Sequence, residues 1–235
     1  SGKEDWRSAE VPGLVQTDLL RHGLIPDFMH GSNIDSVQWI ENEDWIYKRT
    51  LVADDTLLRH GHLDLVFKGL DTFVYLNDSL LGKADNMFRT WEWGIKPLLK
   101  KGENELKVIF RSPIREGAKL RAAYGIQLPH DSDPSGVSPY IRKAAYQFGW
   151  DFCPRLVTSG IWQKVELQGW SDDRILSAGA FLNTGTESLM ASCLIETTAL
   201  SDSVTTLIVR LGDKHQLSMR PPHRSANIVR FLLDS

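Results

Sequence analysis

Alternation of apolar and polar positions is the dominant pattern along this chain. In Leu63–Lys68, the side chains of Leu63, Leu65 and Phe67 fall on one face of an extended backbone. A period of two is typical of a β-strand with one buried face. Further runs of this kind are Thr72–Asn77, Glu105–Phe110, Lys164–Leu167, Thr206–Leu211 and Asn227–Leu232. Many short strands separated by turn residues predict an all-β fold of antiparallel strands arranged as a sandwich.

Four segments depart from this pattern. Leu14–Gly23 predicts a short helix that stops at its glycine, which readily takes the left-handed conformation. Asn77-Asp78-Ser79 is an N-glycosylation sequon, but an Asn-Asp pair is also a good hairpin turn, and we expect only the turn. Asn104-Glu105 is expected to be a solvated turn. Gly117–Val137 is rich in Pro, Asp, Ser and Gly and is expected to be a long loop, either functional or disordered.

The composition changes near residue 170. All eight tryptophans lie in the first 170 of the 235 residues, whereas the remainder is rich in Ser, Thr and Leu. We therefore predict two domains, residues 1–169 and 170–235. The first is long enough for an eight-stranded jelly roll. The second has about five strand-like runs and is short for an immunoglobulin-like sandwich, which takes about 100 residues. We expect it to be a truncated immunoglobulin-like domain.

The charge balance excludes some classes of partner. The chain carries 27 Lys and Arg against 30 Asp and Glu, a formal net charge of −3. Proteins that bind nucleic acids normally have a stripe of basic residues, and proteins that bind anionic membranes have a basic cluster. A membrane-spanning helix would need about 18 or more consecutive apolar residues, and the chain has no such run. We expect neither a nucleic-acid nor a membrane partner.

Several familiar chemical motifs are absent from the sequence. Gly82-Lys83 lacks the second glycine and the Ser or Thr of a phosphate-binding loop, and no serine-hydrolase elbow occurs. His60-Gly61-His62 has no third ligand at a metal-binding spacing. Cys153 and Cys193 form neither a zinc pattern nor a disulfide framework. No cofactor, no metal site and no catalytic residue is predicted from these patterns.

The most unusual stretch is Tyr140–Arg155, which concentrates aromatic and charged side chains. Proteins hold sugars by stacking aromatic rings on their apolar faces, while carboxylates accept hydrogen bonds from their hydroxyls. Trp150 and Asp151 supply both groups in adjacent positions, although an extended backbone would point them in opposite directions. The alternative is structural: a buried Trp150 beside an Asp151 that is paired with Arg142 or Arg155.

These residues and others resemble the start of the family 2 β-mannosidases of the glycoside hydrolases. The similarity covers about residues 6–170 and is weaker beyond. The matching segments are Val11–Gly13, Asp18–Asp27, Asn33, Val37–Ile40, Asp44–Tyr47, Phe67–Asn77, Leu81–Arg89, Arg142–Asp151 and Ser159–Trp162.

The resemblance implies a fold and a place in a larger enzyme. In this family a jelly-roll domain like galactose-binding domains comes first, an immunoglobulin-like domain follows, and a (β/α)8 barrel carries both catalytic glutamates. The reaction is retaining hydrolysis of terminal β-D-mannosyl residues. The chain would then be a non-catalytic N-terminal portion, inactive alone, whose partners are the barrel of the same polypeptide and a terminal β-mannoside.

The resemblance also assigns a site. The family's Trp-Asp pair lies on a loop that reaches the barrel's active site and contacts the terminal mannose, and it corresponds to Trp150 and Asp151. Asp151 would accept hydrogen bonds from sugar hydroxyls, and Trp150 would form a wall of the sugar pocket. The family commonly continues Trp-Gly-Pro, whereas this chain has Phe152-Cys153-Pro154.

Three alternatives remain at this point. The departure at Phe152-Cys153 leaves open another family 2 specificity: β-galactosidase, β-glucuronidase or exo-β-glucosaminidase. The second alternative is a free-standing carbohydrate-binding module. The third is a domain that serves only folding and interdomain packing.

Overall fold

A computed structural model describes residues 6–130, 132–184, 189–198, 207–211, 213, 215–219 and 226–233. The chain forms two compact units, residues 1–169 and 170–235. The helices are α1 (Val15–Arg21), α2 (Asn33–Ser36), α3 (Asp55–Leu58) and α4 (Pro113–Tyr124). The strands are β1 (Trp45–Ala53), β2 (His62–Leu76), β3 (Ser79–Gly94), β4 (Gly102–Phe110), β5 (Val165–Trp170), β6 (Ile175–Thr184), β7 (Leu189–Thr197), β8 (Leu207–Leu211), β9 (His215–Met219) and β10 (Ala226–Leu233).

The first unit is built on a five-stranded sheet. Its antiparallel order is β1-β4-β2-β3, and β5 pairs with β2. Alternate side chains of these strands form the main hydrophobic core, as a period of two requires. The buried members of this core are Leu63, Leu65, Phe67, Leu70, Val74, Leu76, Ala84, Ile95, Leu106, Val108, Phe110 and Ile161.

Two runs that the sequence separates are one long strand, β2. The strand continues through a bulge at Gly69, where its register against β3 shifts. Gly69 has φ +88°, and a Cβ there would lie 2.4 Å from the carbonyl oxygen of Met87. Only glycine fits without displacement, because it has no Cβ and tolerates a positive φ.

The hairpin turn predicted between β2 and β3 is confirmed. Asn77 and Asp78 have φ of +49° and +60°, as a two-residue hairpin requires. The Asn77 amide donates to the carbonyl oxygen of Leu98 and to Oδ1 of Asn104, at 2.9 and 2.8 Å. Asn104 is 1% exposed and starts no solvated turn; the prediction for it was wrong. Its side chain accepts a hydrogen bond from the backbone N–H of Lys100 and donates one to the carbonyl oxygen of Lys100, both at 2.8 Å.

The predicted N-terminal helix is also confirmed. α1 ends at Arg21, and Gly23 follows with φ +65°. Its buried side chain Val15 packs in a second core with Ile25, Val37 and Ile40.

The segment Gly117–Val137 differs from its prediction as a loop, because its first eight residues belong to α4. This helix starts at Pro113 after Ser112, whose Oγ accepts a hydrogen bond from the backbone N–H of Arg115. Gly117 lies inside the helix, where a Cβ would come 2.6 Å from the Cβ of Val137. The glycine therefore serves close packing and does not break the helix.

The second unit contains two antiparallel sheets, one of order β10-β7-β6 and one that pairs β8 with β9. Its identification as a truncated immunoglobulin-like domain stays a prediction. Among the helices of the described residues, none has the length and apolar character needed to cross a membrane.

Candidate functional site

Trp150 and Asp151 lie on a tight turn. The backbone N–H of Trp150 donates to the carbonyl oxygen of Cys153, and the N–H of Cys153 donates back to that of Trp150, both at 3.2 Å. Asp151 and Phe152 therefore form the tip of the turn.

The side chains of the turn face solvent. Trp150 is 50% exposed and Phe152 is 84% exposed. The Asp151 carboxylate is exposed and has no hydrogen bond or ion pair with any residue that the structure describes. The purely structural alternative required a buried Trp150 and a paired Asp151. Neither condition holds, so the turn presents an aromatic ring and a free carboxylate.

The start of the turn rests on a buried base. A 3-10 helix, Ala145–Phe148, leads into it, and Phe148 is 1% exposed in a core with Val137 and Val157. Gly149 follows with φ +107°, a conformation that favours glycine, and its carbonyl oxygen accepts a hydrogen bond from Ser132 Oγ at 3.0 Å. These contacts fix the direction in which the chain enters the turn.

The end of the turn is held by a buried ion pair. Nη1 of Arg155 lies 2.6 Å from both carboxylate oxygens of Glu41 and 2.7 Å from Oε1 of Gln38. The Gln38 amide donates to the backbone carbonyl oxygen of Arg155 at 2.8 Å. We call Gln38, Glu41 and Arg155 the clamp. Burial raises the pKa of Glu41 and outweighs the opposing effect of the guanidinium.

A cavity of about 470 Å³ lies next to the turn. Cys153 and Pro154 belong to its lining, together with three aromatic residues: the buried Phe110 and the more exposed Tyr146 and Trp162. Tyr146 is 61% exposed and Trp162 is 39% exposed, so both rings are accessible. Trp150 and Asp151 are not among the lining residues.

Two opposite charges, Asp71 and Lys143, line the same cavity. Both are half-buried, and neither forms a hydrogen bond or an ion pair with a side chain in the described part of the protein. Burial lowers the pKa of Lys143, an effect that Asp71 partly offsets, and burial raises the pKa of Asp71. Sequence reasoning missed this pair, since 72 positions separate its members. No local signal distinguishes Asp71, since β2 also contains the charged residues Asp64 and Lys68.

Among the described residues, no group of three or more His, Cys, Asp or Glu side chains is arranged to hold a metal ion.

This chain is similar to known proteins in both sequence and fold. Residues 1–163 match the family described as glycosyl hydrolase 2 galactose-binding domain-like. Beta-mannosidase B of Thermothelomyces thermophilus is 36% identical over 168 residues, which are 68% of this chain and 19% of that protein. Beta-mannosidase of Capra hircus is 31% identical over 171 residues, 69% of this chain and 19% of that protein. The chain thus spans about a fifth of the length of these curated relatives.

Solved structures give the same result for the fold. A crystal structure of a β-D-mannosidase from Dictyoglomus thermophilum matches with a TM-score of 0.89 and 36% identity, over 99% of this chain and 29% of that one. An exo-chitosanase from Amycolatopsis orientalis matches with a TM-score of 0.60 and 14% identity, over 96% of this chain and 25% of that one. The second likeness concerns the fold alone. The predicted mainly β fold with a galactose-binding-like first part is confirmed.

Proposed function

The chain belongs to glycoside hydrolase family 2 through its galactose-binding-like domain, and from this premise we propose that it is the N-terminal, non-catalytic portion of a retaining exo-β-mannosidase. The proposed parent enzyme hydrolyses terminal β-D-mannosyl residues. Its two catalytic carboxyl groups would lie about 5–5.5 Å apart, as retention of configuration requires. Those groups would belong to a barrel of the same polypeptide, so the 235-residue chain is inactive alone.

The turn carries the proposed contribution to the sugar site. The observation that supports it is the exposed turn tip, where Asp151 has no partner among the described residues and Trp150 is half exposed. An unpaired carboxylate accepts hydrogen bonds from sugar hydroxyls, and an indole covers an apolar sugar face. The clamp holds this turn in place, and a fixed geometry is what a specific sugar subsite needs.

The second candidate is another family 2 specificity, because Phe152 and Cys153 stand where the resembling β-mannosidases commonly have Trp and Gly. Phe152 is the most exposed of the large apolar side chains in the described part of the protein. A change at the tip of the turn alters the surface that a sugar meets without altering the fold. The identity of the sugar is therefore the feature to test directly.

The test compares the 235-residue chain with the complete reading frame that encodes it, on 4-nitrophenyl β-D-mannoside and on the matching galactoside, glucuronide and glucosaminide. We expect the short chain to be silent and the long form to prefer the mannoside. If the long form prefers another of these glycosides, that sugar replaces mannose as the proposed specificity. Turnover by the short chain would contradict its non-catalytic role.

A variant tests the turn itself. Asp151→Ala in the long form should lower kcat/KM on the mannoside by about 10–150-fold, the equivalent of one lost hydrogen bond to a charged group. Asp172→Ala, which removes an exposed acid outside the turn, is the matched control. An Asp151→Ala enzyme with the kcat/KM of the control would leave the domain with a packing role only.

A further inference from the structure

We infer that the cavity beside the turn is a second carbohydrate subsite, in which a hexose bridges Asp71 and Lys143 through its hydroxyls. The cavity itself is an observation of the structure, whereas the choice of a hexoside as its ligand rests on the proposed function. The cavity is distinct from the sugar site proposed at the turn, since its lining contains neither Trp150 nor Asp151.

The two charges of the cavity form no hydrogen bond or ion pair with a side chain among the residues that the structure describes. Lys143 and Asp71 line one space, yet their charged atoms do not come within ion-pair distance of each other in the described structure. Half-buried charges that form no hydrogen bond or ion pair lose solvation that distant charges offset only in part, and such groups concentrate at binding sites. A hydroxyl can accept from an ammonium and donate to a carboxylate. A polyol therefore satisfies both groups at once without bringing a charge of its own.

The walls of the cavity fit the same ligand. Its volume of about 470 Å³ lies in the range of small-molecule pockets, roughly 300–1,000 Å³. Trp162 and Tyr146 supply aromatic surface, and the lining also includes Gln147, whose amide oxygen accepts a hydrogen bond from the backbone N–H of Thr158. Gly160 and Gly13 form one wall, where a Cβ on Gly160 would lie 2.6 Å from the carbonyl oxygen of Gly13. The combination of aromatic rings, an amide and two charges is typical of sugar recognition.

A structural role for Lys143 is the competing explanation. Asp71 lies directly opposite Asp85 across β2 and β3, and like charges in that arrangement repel. Lys143 and Lys83 both offset this repulsion. Only Lys143 lines the cavity. A Lys83 variant therefore removes part of the charge compensation without changing the cavity, which distinguishes the two explanations.

Cys153 offers a readout inside the cavity. It lines the cavity as a free, partly accessible thiol, and the second free thiol, Cys193, lies in the other unit. The 235-residue chain is alkylated with iodoacetamide, with and without methyl β-D-mannoside or methyl β-D-glucoside at tens of millimolar. Mass spectrometry then follows each cysteine. We expect a hexoside to slow the modification of Cys153 and to leave Cys193 unchanged as an internal control.

Variants complete the test. Lys143→Met and Asp71→Asn should raise the hexoside concentration needed for protection about tenfold or more, whereas Lys83→Met should leave it unchanged. Lys143→Gln keeps a hydrogen-bond donor and should retain part of the protection, provided that thermal unfolding matches the parent chain. Protection of Cys153 by neither hexoside would overturn the inference, as would equal protection in Lys143→Met. Protection by glycine, a zwitterion, but by neither hexoside would also overturn it.

The outcomes distinguish this inference from the proposed function. The alkylation experiment needs no catalysis, and although Cys153 closes the turn that carries Asp151, the Lys143 and Asp71 variants change only the cavity and leave the turn residues in place. A long form that cleaves no mannoside leaves the alkylation result intact, and unprotected Cys153 leaves the kinetic test of Asp151→Ala intact.

Discussion

Removing the guanidinium of the clamp should destabilise the first unit more than any ordinary surface substitution. Arg155→Met leaves the carboxylate of Glu41 without its cation in a place where the Glu41 side chain is only 9% exposed. Breaking a buried ion pair from one side costs about 3–5 kcal/mol. Since the Arg155 side chain keeps 16% exposure, we expect the lower end, about 3 kcal/mol. For a unit of this size the midpoint of thermal unfolding should fall by about 6–12 °C.

Substitutions of the two partners of the ion pair, Glu41 and Arg155, should lower the free energy of unfolding by different amounts. Glu41→Gln should destabilise less than Arg155→Met, because burial already raises the pKa of Glu41 and a neutral Gln retains an acceptor for Arg155. In Arg155→Met the remaining carboxyl binds a proton more readily when folded than when unfolded. Its stability should therefore be lowest at high pH and recover as pH falls. The double variant Arg155→Met with Glu41→Leu should regain at least half of the loss.

Urea unfolding of the 235-residue chain, followed by tryptophan fluorescence, is the assay, since seven of the eight tryptophans lie in the first unit. Arg49→Met is the matched control: Arg49 is exposed, and its loss should change the free energy of unfolding by less than about 0.5 kcal/mol. An Arg155→Met variant as stable as Arg49→Met would refute the assignment of the clamp as the support of the turn. A double variant less stable than Arg155→Met would refute the electrostatic explanation.

Three further changes test other supports of the first unit by the same urea assay. Asp133→Asn should cost about 1.5–3 kcal/mol, because this carboxylate, 3% exposed, accepts hydrogen bonds from the backbone N–H groups of residues 135, 137 and 138. Burial opposes the charge of Asp133, but the hydrogen bond that the Ser135 hydroxyl donates, together with these backbone hydrogen bonds, outweighs burial and holds the pKa of Asp133 below its usual range. That contribution to stability is therefore present above about pH 4 and is lost as pH falls through the folded pKa; equal acid sensitivity of Asp133→Asn and the parent chain would argue against it. Gly69→Ala should cost clearly more than Gly102→Ala: both glycines have a positive φ near 90°, which alone costs about 1–2 kcal/mol, but only the first would clash. Equal losses would mean that the bulge relaxes freely. Asn104→Ala should cost about 1–3 kcal/mol by leaving buried partners unsatisfied, and a change below 0.5 kcal/mol, roughly the scatter of surface substitutions, would contradict its role.

The sequence predicted the parts of the fold that depend on local pattern. The alternation around Leu63 and the Asn77-Asp78 turn follow from backbone periodicity and turn geometry, and both are confirmed. The helix α4 was missed because Gly117 looks like a helix breaker, although it serves contact with Val137, a neighbour distant in the chain. Asn104 was misjudged for the same reason, since its burial depends on Asn77 and Lys100 packing around it.

For the candidate site, too, the sequence predicted the residues that are neighbours in the chain but not those that only folding brings together. Trp150 and Asp151 stand out as neighbours in an unusual stretch of sequence, and the family resemblance predicts a role for them. Their supports and the cavity beside them come from widely separated parts of the chain. Gln38 and Glu41 approach the turn from before β1, and Asp71 comes from the middle of β2. No spacing rule connects such residues, because only the folded sheet brings them together.

The turn that Trp150 and Cys153 close has an entropic consequence. Ordering a flexible backbone costs about 1–2 kcal/mol per residue at room temperature, which a mobile loop must lose when it meets a ligand. Here two mutual hydrogen bonds and the clamp hold residues 150–155 in one conformation before the proposed sugar ligand binds. A ligand at this turn is therefore met by a preorganised backbone. Loosening the clamp should weaken binding mainly through a less favourable entropy, with the contacts to the sugar unchanged.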